Sequence, residues 1–309
     1  VGICLCIAIF ATATVAATVQ VNERFNISSE VTAVGGIPAS VRISDVSSDG
    51  SVVIGRFSKN KVRYDDWQVF RYVRGRRIED LGPLAKDINT LCVSGDGAVM
   101  WGSFYVKDEG SRLFRYTQSH GLEDLGAFGR MGIHPYAASA DGAVVVGSFR
   151  HTMTPENKPI YHAFRYSERD GFQDLGSMGA ESAFARGVSA NGSVIVGNFH
   201  VANSNDHAFH YSRAAGVDDL GAIGGTAAFA TGSADNGLVV GTFFGKLDFY
   251  RQAYDNHVFI YTRSAGAIKL GAMGGKSAGT VRVSADGRRL VGSYTTAARE
   301  SYLYIGTVQ

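Results

Sequence analysis

His162, His207 and His257 open the short aromatic segments HAFRY, HAFHY and HVFIY, and imidazole is a common transition-metal ligand. A metal needs its donor atoms about 2 Å away. Residues at one repeated position on successive structural units stand much farther apart than that, so these histidines are read as polar strand termini; no metal ligand and no cofactor is expected. Arg42, Arg186 and Arg282 could clamp a carboxylate through guanidinium forks. Their offsets from the following Ser differ, so convergence is not required. Hydrolysis of a glycosidic bond commonly needs two carboxylates in acid and base roles. Asp45 and Asp87 are the only nominees, on neighbouring units with no spacing signal. No catalytic residue is assigned, and the chain is not expected to be an enzyme.

Residues suited to binding cluster elsewhere. One variable segment carries Lys59, Lys61, Arg63, Tyr64 and Trp67; a second carries Arg150, His151, Lys158 and Tyr161; the longest carries Lys246, Phe249, Tyr250, Arg251 and Tyr254. Trp, Tyr and Arg anchor interfaces, and long loops on a rigid scaffold are where binding usually resides. Tyr64, Trp67, Tyr161, Phe249, Tyr250, Arg251 and Tyr254 are the candidate contact residues.

The scaffold that must hold them is a repeat. Its clearest copy, Ala185 to Gly221, reads ARGVSANGSVIVGNFHVANSNDHAFHYSRAAGVDDLG. The internal Gly of the second segment recurs as Gly55, Gly102, Gly147, Gly197, Gly241 and Gly292, a period of 44 to 51 residues. Four short strands fit each unit: Phe184 to Ser189, Val194 to Phe199, His207 to Tyr211 and Val217 to Leu220, with Asn191-Gly192 supplying a tight turn. The pattern predicts an all-β fold, a six-bladed β-propeller of four-stranded antiparallel blades. The repeats span about 37–84, 85–129, 130–179, 180–224, 225–274 and 275–309 of a single domain, 18–309.

The third strands centre on Phe70, Phe114, Phe164, Phe209, Phe259 and Leu303, and Gly147 is expected to leave a gap for a ring from the next blade. The turn residues Asp49, Asp96, Asp141, Asn191, Asp235 and Asp286 are explained by turn chemistry. Only five terminal Leu-Gly segments occur, at Leu81, Leu125, Leu175, Leu220 and Leu270. Ser29 to Gly36 aligns with Asp218 to Gly225, so a strand near 25–34 is expected to close the ring beside Ser301 to Ile305. The sialidase pattern, in which one residue separates Asp from Gly and a Trp follows, does not match these turns.

Composition agrees with one large β domain: 45% of the residues are hydrophobic and 39 are Gly. A formal net charge of +2 with no continuous basic run argues against nucleic acid. Residues 1–17, VGICLCIAIFATATVAA, have the apolar run and small-residue end of a secretory signal, and the run is short for a stable membrane span. After cleavage Cys92 would be the only cysteine, so no intrachain disulfide is expected.

The strands HAFRYS and HAFHYS with their DLG partners, and the VSANG and SADG turns leading into VIVGNF and VVVGSF, resemble the HAF family of extracellular bacterial repeats. The resemblance covers nearly everything after Ser29, and the turns also resemble those of TolB-like propellers. It implies an exported or cell-surface protein, similar to autotransporter passengers, with the periplasm as an alternative; it supplies no catalytic residues. The expected function is a non-catalytic adhesion or binding module for a host or envelope protein or a glycan. The alternatives are a carbohydrate-active propeller enzyme using a central pocket and a structural passenger without a ligand.

Overall fold

A computed structural model describes residues 40–58, 67–76, 78–82, 88–128, 132–202, 205–248, 253–298 and 301–308. It is all-β, a six-bladed propeller, and no helix occurs among the described residues. Blade one pairs β1 (Ser40–Val46), β2 (Val52–Ser58), β3 (Trp67–Val73) and β4 (Glu79–Gly82) in sequence order. Blade two follows with β5 (Ile88–Val93), β6 (Val99–Val106), β7 (Gly110–Thr117) and β8 (Gly121–Gly126); blade three has β9 (Ile133–Ala138), β10 (Val144–Met153), β11 (Pro159–Ser167) and β12 (Gly171–Gly176). Blade four contains β13 (Ser182–Val188), β14 (Val194–His200), β15 (Asp206–Ser212) and β16 (Gly216–Gly221); blade five contains β17 (Ala227–Ser233), β18 (Val239–Asp248), β19 (Ala253–Thr262) and β20 (Gly266–Gly271). Blade six shows three strands, β21 (Ser277–Val283), β22 (Arg289–Thr295) and β23 (Ser301–Thr307). The expected closing strand near 25–34 lies outside the described residues. By its contacts the chain forms two compact units, Thr32–Gly192 and Ser193–Gln309, with the boundary between β13 and β14.

In blades one, two, three and six the first turn is held by one small hydrogen-bond circuit. In blade three the Ser139 hydroxyl donates to Asp141 (2.7 Å) and accepts from the Val144 amide (3.0 Å), while Asp141 accepts from the Ala143 amide (2.9 Å). Blades one, two and six repeat the Ser to Asp bond at 2.5–2.7 Å. Adjacent turns are joined by backbone bonds: the Asp96 amide donates to Ala140 O (2.8 Å), and the Ala140 amide to Ala190 O (2.9 Å). Gly142 is needed twice over. Its φ of +70° is left-handed, and a Cβ there would lie 2.6 Å from the Val99 side chain of the preceding blade.

Blade five departs from this circuit by one residue. The sequence expectation placed Asp235 in the turn role, but the amide that donates into the turn, Leu238, goes to Asn236 (3.1 Å). Asp235 instead supplies the joining amide, to Ala285 O (3.0 Å), as Ala140 does in blade three. The extra residue in Ser233-Ala-Asp-Asn-Gly puts Ala234 where the other blades have the circuit's Ser. Ser233 Oγ is left buried without a hydrogen-bond partner.

Second strands such as β14 and β10 are buried along nearly their whole apolar run, as expected for a strand covered on both faces. The Gly in each is filled from its own blade, which corrects the expected ring from the next one. Gly147 is the cross-strand partner of Phe164, and a Cβ on Gly147 would meet that ring at 2.7 Å and His134 O at 2.0 Å. A ring one strand away on the same sheet reaches the gap directly. Neighbouring blades then pack around the filled pair: Phe164, Val145 and Phe149 of blade three cluster with Trp101, Val99 and Leu113 of blade two. Trp101 is fully buried and donates its indole N–H to Gly142 O (3.1 Å). In blade six the residue opposite Gly292 is Tyr304, so Tyr304 rather than Leu303 takes the place of the phenylalanines. Tyr304 is fully buried, its hydroxyl has no hydrogen-bond partner, and burial raises its pKa.

Candidate functional site

At the end of the blades opposite the Ser-x-Asp-Gly turns, arginines lie on aromatic rings. In blade one Arg42 and Arg56 are cross-strand partners on β1 and β2, and both cover Trp67 at the start of β3. Their guanidinium carbons are 5.1 and 5.7 Å from the indole centroid, within cation–π range. Like charges directly opposite on a sheet repel, and the shared π face offsets part of that cost. Arg56 also donates to Ile88 O of blade two, and its pKa is lowered first by burial and then by Arg42.

A second group spans β9, β11 and β13. Arg186 lies over Tyr136 (5.1 Å) and Phe184 (5.2 Å), Phe184 packs on Tyr161 (5.4 Å between centroids), and His134 stacks on Tyr136 (6.4 Å, 13°). Ser148 donates to the Tyr136 hydroxyl (3.2 Å), and the Tyr161 amide donates to Ser182 Oγ (3.0 Å). Burial lowers the His134 pKa. These rings are half-buried, with their faces held by neighbouring rings and the Arg186 guanidinium. Such a surface can stack on a flat or apolar ligand face and donate charge-assisted hydrogen bonds to an anionic group.

The predicted contact residues divide three ways. Trp67 and Tyr161 belong to these groups, Tyr254 lies in β19, and Tyr64, Phe249, Tyr250 and Arg251 fall outside the described residues. The segment expected to be a long loop around Arg150, His151 and Tyr161 is a hairpin. β10 runs to Met153, β11 begins at Pro159, and only Thr154 to Lys158 turn between them. Pairing satisfies the backbone groups that a loop would leave to solvent. Tyr136 and Phe184 were missed because neither stands in a variable segment; their alternation with buried neighbours in β9 and β13 was the available signal.

The other chemical candidates have defined places. His162 and His207 each lie beside the Asp of the outermost strand, with Nδ1 3.0 Å from Asp174 and 3.0 Å from Asp219. Each Asp also accepts the amide of the Gly two residues on, at 2.7 Å. Histidine on the third strand and Asp-Leu-Gly on the fourth are thus one structural unit. Blade two uses Arg112 to Asp124 (2.8 Å) in that place, and in blade five Lys269 replaces the Asp and lies over Phe243. Arg282 donates to Thr231 O (2.9 Å). Asp45 accepts the Val93 amide of blade two (3.0 Å) and that of Val46 (2.9 Å), and Asp87 lies outside the described residues. Cys92 is a free, buried thiol whose pKa is raised by burial and then by Asp45.

Solved structures with this fold include the β-propeller domain of the Trilobed protease from Pyrococcus furiosus. It is 12% identical with a TM-score of 0.60, over 86% of this chain and 78% of that one. TolB from Acinetobacter baumannii is 14% identical with a TM-score of 0.54, over 84% of this chain and 64% of that one. A prolyl endopeptidase is 11% identical with a TM-score of 0.57, over 88% of this chain and 42% of that one. At such identities the likeness is one of fold. No protein-family model matches the chain, and no curated protein does.

Proposed function

We propose that the chain is an exported, non-catalytic binding module that holds a protein or glycan partner on the arginine–aromatic end of its blades. One observation carries this reading: within 32–192, two separate groups, Arg42/Arg56/Trp67 and Tyr136/Tyr161/Phe184/Arg186, put the same chemistry at the end of the blades away from the repeated turns. Rigid rings lose little conformational entropy on binding, and stacked guanidiniums are pre-oriented for acceptors. The apolar, small-residue start of the chain supports export. The resemblance to HAF-type extracellular repeats supports a surface or periplasmic setting.

A glycan-array and cell-surface binding screen of the full chain tests it, with Trp67→Ala and Tyr161→Ala as paired variants. Saturable binding that weakens at least about tenfold in either variant, with the unfolding transition retained, is the expected result. Binding that both variants leave intact would remove this surface from consideration.

A further inference from the structure

We propose that His151, His162 and Asp174 form a surface site in blade three for a divalent transition-metal ion of the imidazole-binding class, such as Zn2+ or Cu2+. The three residues come from β10, β11 and β12, adjacent strands of one sheet, and their ligand atoms all lie within 4.8 Å of one another. His151 gets there through an irregularity. The pairing of β10 with β11 shifts between Arg150↔Tyr161 and Thr152↔Ile160, which leaves His151 as the extra residue. A β-bulge re-aims the side chain it carries. Here the His151 ring lies parallel to that of His162, with centroids 3.9 Å apart and planes at 8°. Both Nδ1 atoms face the Asp174 carboxylate, His162 at 3.0 Å and His151 at 4.0 Å.

The surroundings favour a fixed site. Phe149 lies edge-on to both imidazoles, 6.2 Å from His151 and 5.8 Å from His162, and Asp174 is oriented by the Gly176 amide at 2.7 Å. Such supporting contacts orient metal ligands. Tetrahedral coordination with bonds of about 2.1 Å separates donors by about 3.4 Å. A turn of His151, whose side chain is 48% exposed, closes the group around an ion. Two imidazoles and one carboxylate suit zinc or copper better than magnesium or calcium, and three protein ligands leave a position open for water or a donor group of a bound molecule.

Blade four supplies an internal control. It has the same pair, His207 and Asp219, and the same Gly221 bond, but β14 pairs with β15 without a register shift, and among the described residues no third ligand is turned toward the pair. This inference does not rest on the binding-module reading. Calorimetric titration of the full chain with Zn2+ alone tests it. The expected result is one equivalent in the native chain that His151→Ala and Asp174→Asn each weaken by roughly tenfold or more, while His207→Ala retains it. Thermal unfolding with and without Zn2+ checks the fold of each variant, and should show a metal-dependent upward shift only in the native chain and His207→Ala. No such equivalent in the native chain, its full retention in His151→Ala, or equal loss in His207→Ala overturns the site.

Discussion

The two ends of the blades follow different rules. At the Ser-x-Asp-Gly end of blade three the Ser139 hydroxyl, the Asp141 carboxylate and the Ala143 and Val144 amides are bound to one another, and blades one, two and six repeat the Ser–Asp bond. At the other end the His–Asp–Gly unit recurs in blades three and four, but among the described residues the arginine–aromatic contacts follow no single pattern. Arg42 and Arg56 share an indole, Arg186 shares two rings, and Arg56 Nε and Gln68 Oε1 are buried without hydrogen-bond partners. One end is committed to joining blades, whereas the residues that build the other, and their positions in the strands, differ between blades. Variation on a rigid frame is the usual setting for recognition.

Removing a ring that both ends depend on should have the largest effect. Phe164→Ala deletes a fully buried ring seated over Gly147 and should destabilise by about 3–5 kcal/mol, read as a lowered urea midpoint. An unmoved midpoint would break the packing account. Ser139→Ala attacks the committed end alone. It leaves the buried Val144 amide without its acceptor, so a loss of about 1–3 kcal/mol is expected by the same measurement. Trp67→Ala attacks the variable end: it should shift the midpoint less than Phe164→Ala while weakening surface binding by at least about tenfold. Equal effects on stability and binding would dissolve the contrast between the ends.

Acid should loosen the turn end selectively. Asp49 is lowered to about 2, chiefly by the Ser51 amide, while Asp141 and Asp286 are lowered chiefly by Ser139 and Ser284. A carboxylate whose folded pKa is depressed contributes stability that is present above its unfolded value, near 3.8, and is lost as pH falls through the folded one. Thermal unfolding from pH 5 down to pH 2 should therefore show a falling midpoint, with a flatter decline in Asp141→Asn; parallel declines would count against this role. The smallest effect is expected from Tyr304→Phe. Removing a buried hydroxyl that has no partner should leave stability unchanged or raise it by about 1 kcal/mol, and a clear loss would reveal a partner.

Much of the fold was legible because turns and strand periodicity are local. The boundaries read for blade four, Val194 to Phe199 and His207 to Tyr211, differ from β14 and β15 by single residues. Reading failed where one residue changed the register. Asp235 looks like its counterparts in sequence, yet the added Asn236 takes the turn, and Tyr304 displaces Leu303 as the buried ring. Of the candidate surface, Trp67 and Tyr161 were visible as aromatics beside basic residues. Arg42 and Arg186 were noticed only as possible carboxylate clamps, and Tyr136, Phe184 and Arg56 were not noticed, because a ring in an ordinary strand carries no mark of what crosses over it.

The sequence by itself determined the number of repeats, the strand type and the turn chemistry, since each depends on residues within a few positions of one another. Only the tertiary structure decided which ring fills each glycine gap, which arginine lies on which aromatic, and that a bulge brings His151 onto His162. Those pairings join residues on different strands, and a one-residue shift in register reverses the face each side chain presents.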